Sequence, residues 1–282
     1  MGPTDSQPDE ASRSPLPGNP AQTYEDYFVR YQFRPWAGEV LTRAEPVAGE
    51  RVLDVACGTG VVARMVAGEV EGIGRVVGLE PSPAMLAVAR AESAAEGLDI
   101  EWVEGSAGAM PFLDGSFDLV TIQQGLQFVP DREEALAEVR RVLRPGGRVV
   151  SATWLSLEHM PFRAAVAAAI ERAAGHPAMA RPFSAGDRET LVALFEAAGF
   201  DPVTVQRVDR TNRYPDPGRF VELNVMSAAA AVPELAMMTA RDRAAMIAAV
   251  RAELVDTIRD ATEGNEVVVP QATHIVVAGR PG

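Results

Sequence analysis

Residues Leu53-Asp54-Val55-Ala56-Cys57-Gly58-Thr59-Gly60 stand between a short apolar run, Arg51–Ala56, and an apolar helical pattern, Val61–Val70. Glycines at such a strand-to-helix junction let the backbone turn sharply and approach a ligand closely. The junction therefore commits the chain to at least one βα unit, and the glycines mark either a bare strand–helix turn or a ligand site at the strand's carboxyl end. Gly58-Thr59-Gly60-Val61-Val62-Ala63 also satisfies the dinucleotide pattern GxGxxA, which by itself is a weak signal. Two carboxylates refine it. Asp54, before the first glycine, would repel a pyrophosphate and suits a positively charged ligand. Glu80 follows the second apolar run, where a carboxylate can accept from both ribose hydroxyls.

The alternation continues along the chain. Gly74–Leu79 is a second strand. Ser82 and Pro83 open a helix that runs to Gly97. Ile100–Val103, Phe117–Gln123 and Arg148–Thr153 are the third, fourth and fifth strands. Asp131 caps a helix whose Leu136, Val139, Val142 and Leu143 share a face, stopped at Pro145-Gly146-Gly147. Such alternation implies right-handed βαβ crossovers and a parallel sheet covered on both faces. Beyond Trp154 come a helix near Phe162–Ala174, another from about Asp187 to Gly199, and a sixth strand at Val203–Val208. A helical stretch capped in part by Thr239 follows, then a seventh strand, Glu266–Val269 and His274–Ala278, with a break expected at Pro270. Residues 1–22, rich in proline, read as a disordered tail. Tyr24, Tyr27, Phe28, Tyr31, Phe33 and Trp36 follow, on one or two short helices broken at Pro35.

In these motifs the chain resembles the class I S-adenosylmethionine-dependent methyltransferases, closely from Arg51 to Trp154 and loosely elsewhere. Asp54 through Gly60 resembles their first motif, and Gly78-Leu79-Glu80 their ribose-binding strand end. Glu104-Gly105-Ser106-Ala107 is similar to their adenine loop. Asp114 to Val120 and Leu143-Arg144-Pro145-Gly146-Gly147 are similar to the approaches to strands four and five. Ser106 stands where the family usually has an acid, and Glu80 where it usually has aspartate. The resemblance implies a Rossmann-like, doubly wound, seven-stranded α/β sheet of order 3-2-1-4-5-7-6 with strand 7 antiparallel. It implies one methyltransferase domain over residues 23–282, with an N-terminal helical cap at 23–46 and a helical lid at 212–264 between strands 6 and 7. It implies S-adenosyl-L-methionine as cofactor, with Asp54, Ala56 and Gly58 at the methionine end, Glu80 on the ribose, Pro81 and Met85 along the adenine, and Ser106 and Ala107 at its edge. Thr59, Gly60 and Gln123 complete the expected cofactor set.

The expected reaction is methyl transfer to a small, partly apolar organic acceptor, bound by Gln124, Tyr27 and Phe33. His159, after the fifth strand, is the candidate general base, weighed against an exposed loop histidine. Met226, Met237, Met238 and Met246 are either core or a pliable wall for the acceptor. His176 reads as solvent-exposed and His274 as structural. The rival readings are another reaction on the same fold, such as a cyclisation, and a nicotinamide oxidoreductase, disfavoured by Asp54.

Composition removes other classes. The chain contains no lysine, so all 26 basic side chains are arginine, which excludes Schiff-base and P-loop lysine chemistry. One cysteine, Cys57, excludes an intrachain disulfide and a thiolate zinc cluster. Only three histidines leave no metal site expected. A net charge of −13 argues against a nucleic-acid partner. With no long apolar run and a polar, proline-rich start, neither a membrane span nor a secretory signal is expected, and the cytoplasm is the default location. The oligomeric state is left open.

Overall fold

A computed structural model of the chain describes residues 19–175, 183–231, 235 and 237–282. The expected tail falls largely on residues 1–18, and His176 on residues 176–182, outside the described residues.

The strands are β1 Val52–Val55, β2 Val76–Glu80, β3 Glu101–Glu104, β4 Phe117–Gln123, β5 Leu143–Trp154, β6 Val203–Pro215, β7 Thr262–Glu263 and β8 Glu266–Gly279. They form one sheet of order β3-β2-β1-β4-β5-β8-β6, with β7 paired to β8. β1 to β5 pair parallel and β8 runs antiparallel to both β5 and β6. Discounting the two-residue β7, this is the expected 3-2-1-4-5-7-6. The break expected at Pro270 is absent. β5 pairs with β8 only from Arg148↔Gly279 to Trp154↔Thr273, so Pro270 lies beyond β5, on an edge where no N–H is required. β6 and β8 go on pairing to Pro215↔Glu266. This two-stranded arm rises past the carboxyl edge of the parallel strands, and β6 ends at Pro215 rather than before Asn212.

Helices α1 Pro20–Thr23, α2 Arg34–Ala44, α3 Val61–Glu69, α4 Pro83–Glu96, α5 Arg132–Val142, α6 Pro161–Ala174, α7 Arg188–Ala197, α8 Pro217–Ala231 and α9 Ala240–Asp260 surround the sheet. Their starts follow the sequence chemistry. Ser82, Asp131, Asp187 and Thr239 each accept from a backbone N–H of the first turn. α4 ends at Gly97 in the left-handed region. Leu53, Val55, Val77, Leu79, Val120 and Ile122 pack one face of the sheet against α5 and α7. Val52, Val76, Leu119 and Val150 pack the other against α2 and α3. A separate cluster joins α6, α8 and α9 to Tyr214, Val267 and Val269 of the arm.

The aromatic N-terminal segment departs most from expectation. Helix begins at Pro20, inside the segment read as tail, because the Asn19 side chain accepts from Ala21 N. It then runs through a π-helical stretch, Tyr24–Phe33, directly into α2. Pro35 does not break it. Proline has no N–H for the carbonyl four residues back, and that carbonyl, Tyr31, accepts from Asn212 Nδ2 of β6 at 2.8 Å. The same amide reaches the Gln32 carbonyl at 3.1 Å, and Gln123 Nε2 donates to that of Phe33 at 2.8 Å.

Candidate functional site

A cavity of about 530 Å³ opens over the carboxyl edge of β1 to β5, roofed by the N-terminal helix and by α6 and α8. Its two halves are chemically distinct. Over β1, β2 and β3 it is lined by Ala56, Gly58, Glu80, Pro81, Met85, Ser106 and Ala107. Over β4 and β5 and under the roof it is lined by Gln123, Gln124, Phe128, Trp154, Tyr24, Phe28, Phe33, Arg163 and Met226.

The floor of the first half is the glycine loop. Ala56 and Gly58 both have positive φ, 55° and 58°, which turns the loop back over β1. Gly58 bares its backbone to the cavity; a Cβ there would point at the Tyr24 ring, 3.8 Å away. Glu80 Oε2 accepts from Gly58 N and Oε1 from Ser82 N, both at 3.1 Å. Burial pushes its carboxyl up, against the pull of those two bonds. An ionised carboxylate keeps further lone pairs for two hydroxyl donors on the cavity side. Ser106 Oγ accepts from Gly108 N at 3.3 Å and closes the adjoining loop.

Three expected cofactor residues lie beneath this lining rather than in it. Asp54 is buried; its carboxylate accepts from Thr121 Oγ1 at 2.8 Å and from Ala63 N at 3.3 Å. It therefore ties β1 to β4 and to the first turn of α3. Thr59 is fully buried. Gly60, at φ 84°, caps α3, and a Cβ there would sit 2.1 Å from the Trp102 ring. Its missing side chain makes room for that indole and not for a ligand. Gln123 lines the cavity, but its Nε2 is committed to the Phe33 carbonyl while its Oε1 has no partner.

In the second half Gln124 is the least satisfied group. It ends β4 at φ 45°, is buried, and neither its Oε1 nor its Nε2 has a partner in the described protein. A strained, buried, unpaired amide at the carboxyl edge of a parallel sheet is a candidate binding position. Phe33 stacks on Tyr24 with centroids 5.2 Å apart. Tyr27 is turned away, into the cluster with Phe28 and Tyr214. The cause is the π-helical spacing: i to i+5 bonding puts residues four to five apart on one face. Tyr24, Phe28 and Phe33 thus face the cavity. Met226 lines it as well; Met246 is core, and Met237 is exposed.

His159 is not in this cavity. The chain leaves β5 through Leu155 and a 3₁₀ turn, Leu157–His159, which places the imidazole half-exposed beside Glu158 on a separate shallow pocket. His274 is buried, with Nδ1 2.7 Å from the Gly186 carbonyl. Tyr24, Phe28, Trp154 and Arg163 are cavity residues that the sequence motifs did not assign. For Tyr24 and Phe28 the aromatic density was a signal. For Arg163, which stands among the apolar residues of the first three turns of α6, there was none. Among the described residues no group of histidine, cysteine and carboxylate side chains is placed to hold a metal ion, and no helix is long and apolar enough to cross a membrane.

Residues 52–147 match the model of a methyltransferase domain. The demethylmenaquinone methyltransferase of Thermus thermophilus is 44% identical over 115 residues, covering 41% of this chain and 52% of that protein. That of Renibacterium salmoninarum is 37% identical over 163 residues, covering 54% and 66%. The chain spans about half the length of the first curated relatives it matches. The structure of a phosphoethanolamine N-methyltransferase from Haemonchus contortus, in complex with phosphomonomethylethanolamine and S-adenosylhomocysteine, shares the fold. It superposes with a TM-score of 0.59 at 21% identity, over 93% of this chain and 57% of that one. Residues 52–147 thus form a methyltransferase domain, and the glycine loop, Glu80 and the sheet order are those of the class I S-adenosylmethionine-dependent methyltransferase fold.

Proposed function

We propose that the protein transfers the methyl group of S-adenosylmethionine to a small, partly apolar, quinone-type acceptor. The observation that carries this is the single cavity with two chemically different halves. One is a backbone-and-carboxylate cradle and the other an aromatic chamber with an unpaired amide. The cradle fits the cofactor. Gly58 and Ala56 offer bare backbone, Glu80 a carboxylate for the ribose, Pro81 and Met85 an apolar wall, and Ser106 and Ala107 an edge for the base. S-adenosylmethionine supplies a methyl group already activated on a sulfonium. What remains for the chain is alignment and exclusion of water. Asp54 acts from below, holding the loop against Thr121 and Ala63. Gln123 and Gln124 stand where the halves meet, and Gln124 is free to orient the acceptor. Phe33, Trp154 and Met226 wall the acceptor half, and residues 23–46 with the helices of 212–264 serve as its lid.

The quinone-type acceptor is taken from the printed names of the relatives and agrees with the apolar chamber. The reaction belongs in the cytoplasm on this reading, with the lone cysteine buried and unpaired. The test is incubation with methyl-labelled S-adenosylmethionine and a reduced demethylmenaquinone of short side chain. Label should appear in the ring product. Absence of cofactor binding in calorimetry would remove the whole reading; binding without transfer to a panel of quinols would remove the acceptor class.

A further inference from the structure

Arg163, in the first turn of α6, is buried yet lines the acceptor half of the cavity. Its guanidinium is surrounded by neutral oxygens. Nη1 donates to Asn224 Oδ1 at 2.8 Å, and Nη2 to Gln32 Oε1 at 2.8 Å and to the Tyr214 hydroxyl at 2.6 Å. With the Gln271 amide turned to satisfy its neighbours, its oxygen accepts from Nε and Nη2 at 2.8 Å and its nitrogen donates to Asn212 Oδ1. The Tyr214 phenol is not a counter-charge. It donates to Gln32 Oε1 at 2.8 Å, and burial pushes its pKa up. Among the described residues no carboxylate lies within ion-pair distance of Arg163, and α6 has no acidic residue in its first turn. The other buried arginine beside the cap, Arg64, is paired with Glu25 and Glu96.

The shell around Arg163 therefore orients a planar cation without neutralising it. A buried charge is costly unless it is paired, and this one stands in the wall of a ligand cavity. The second N–H of Nη1 has no acceptor among the described residues. An arginine fork is suited to a carboxylate or an ionised phenol, which present oxygen lone pairs in the plane of the donors.

We propose that the acceptor binds as an oxyanion: a flat apolar ring with an ionised oxygen seated on the Arg163 guanidinium, amid Gln32, Asn224 and Gln271. This rests on the reading of the cavity's second half as the acceptor chamber. It also gives the site its nucleophile without a protein base. A ring oxygen held ionised by Arg163, its proton gone to solvent on binding, makes the ring electron-rich: a ring carbon forms the new C–CH3 bond as the S–CH3 bond breaks, S-adenosylhomocysteine leaves, and the displaced ring proton passes to solvent as the ring regains aromaticity.

The test uses the full chain saturated with S-adenosylhomocysteine, and three probes of one shape: 2-naphthoate, 2-naphthamide and 2-naphthol. Calorimetry should show 2-naphthoate bound roughly tenfold or more tightly than the neutral amide. Absorbance titration should show bound 2-naphthol ionising at lower pH than free. A preference for naphthoate alone assigns the oxygen to a carboxylate, and a naphthol shift assigns it to an ionised phenol; either supports the proposal. Arg163→Met should abolish the preference. Asn224→Asp, nearly the same shape, places a carboxylate on Nη1 and should abolish it too, while retaining the fold and cofactor binding. Equal binding of amide and naphthoate with no naphthol shift would overturn the proposal, as would a preference surviving in both variants. Binding of S-adenosylmethionine is measured alongside; its loss counts against the cofactor reading and not against the role of Arg163.

Discussion

Glu80 holds the glycine loop and faces the cavity with the same carboxylate, so one substitution tests both tasks. In Glu80→Gln the amide nitrogen must face an N–H donor, of Gly58 or Ser82, and the charge-assisted bonds to ribose become neutral. Cofactor affinity should fall by roughly 1–3 kcal/mol, read by calorimetric titration of the folded variant. An unchanged dissociation constant would place the ribose elsewhere. Asp54 makes a different prediction. Burial pushes its carboxyl up to about 7, against hydrogen bonds from Thr121 and Ala63 and helped by the nearby charge of Glu80. The native chain then keeps a proton that the unfolded chain has already released above its ordinary value of 3.8. Stability from this group is complete below that value and is lost, by about 1.4 kcal/mol per pH unit, as pH rises towards 7. Asp54→Asn stays neutral throughout. In urea titrations the wild type should lose ground to the variant between acid and alkaline pH, and parallel curves would refute the shift. The residue types at the cradle were legible because backbone turns and carboxylates leave marks in sequence. Gly60 shows the limit: its pattern position was clear, but that it serves the Trp102 ring depends on a contact from β3 that spacing cannot reveal.

At the scale of elements, the N-terminal helix is held by its neighbours rather than by its own propensity. Asn212 of β6 donates to the Tyr31 and Gln32 carbonyls, Gln123 of β4 donates to that of Phe33, and Arg64 of α3 pairs with Glu25. Asn212→Leu leaves buried carbonyls without that donor at a proline, where the helix has no N–H to give. It should cost roughly 1–3 kcal/mol in urea unfolding. Gln271, bonded to Asn212 on one side and Arg163 on the other, links this cap to the acceptor chamber. The same variant should therefore also weaken binding in the acceptor half. The alternating strands and helices were readable from apolar runs and capping residues. The π-helical stretch was not, since nothing in Tyr24–Phe33 distinguishes i to i+5 from i to i+4 bonding before Asn212 is in place. The aromatic density marked the stretch as a cap, but which of its rings face the cavity depends on that spacing, and it places Tyr24 and Phe28 there and Tyr27 away from it. The position of His159 failed for a related reason: a residue just past β5 sits on the correct edge, but the 3₁₀ turn carries it outward. His159→Ala should accordingly keep most of the wild-type turnover. A loss on the order of 100-fold would show it acting as a base.

For the whole molecule, the parallel pairing and the covered faces follow from the alternation of strands and helices and the right-handed crossover rule, whereas the strand order was legible only through the family resemblance. What rises above the sheet was legible through neither: the β6–β8 arm is seven residue pairs longer than the expected strand because Asn212 and Tyr214 have partners in the roof. Charge acts at this same scale. The chain carries −13 with no lysine, and one of those carboxylates, Glu80, lines the cavity itself. S-adenosylmethionine is a net cation near neutrality, whereas S-adenosylhomocysteine has no net charge. The molecular field should therefore accelerate capture of the cofactor and leave that of the product untouched. Stopped-flow association of S-adenosylmethionine should slow a few-fold as salt rises from roughly 20 mM to roughly 500 mM, as the Debye length contracts to a few ångströms. Association of S-adenosylhomocysteine should stay nearly constant over the same range. Equal salt dependence for the two would mean that opening of the aromatic roof, and not electrostatic attraction, sets the rate of entry. The same acidic field should keep a DNA or RNA oligonucleotide from being retained at physiological ionic strength. Tight, salt-sensitive retention would require a concentrated arginine surface, which would make nucleic acid a competing substrate class.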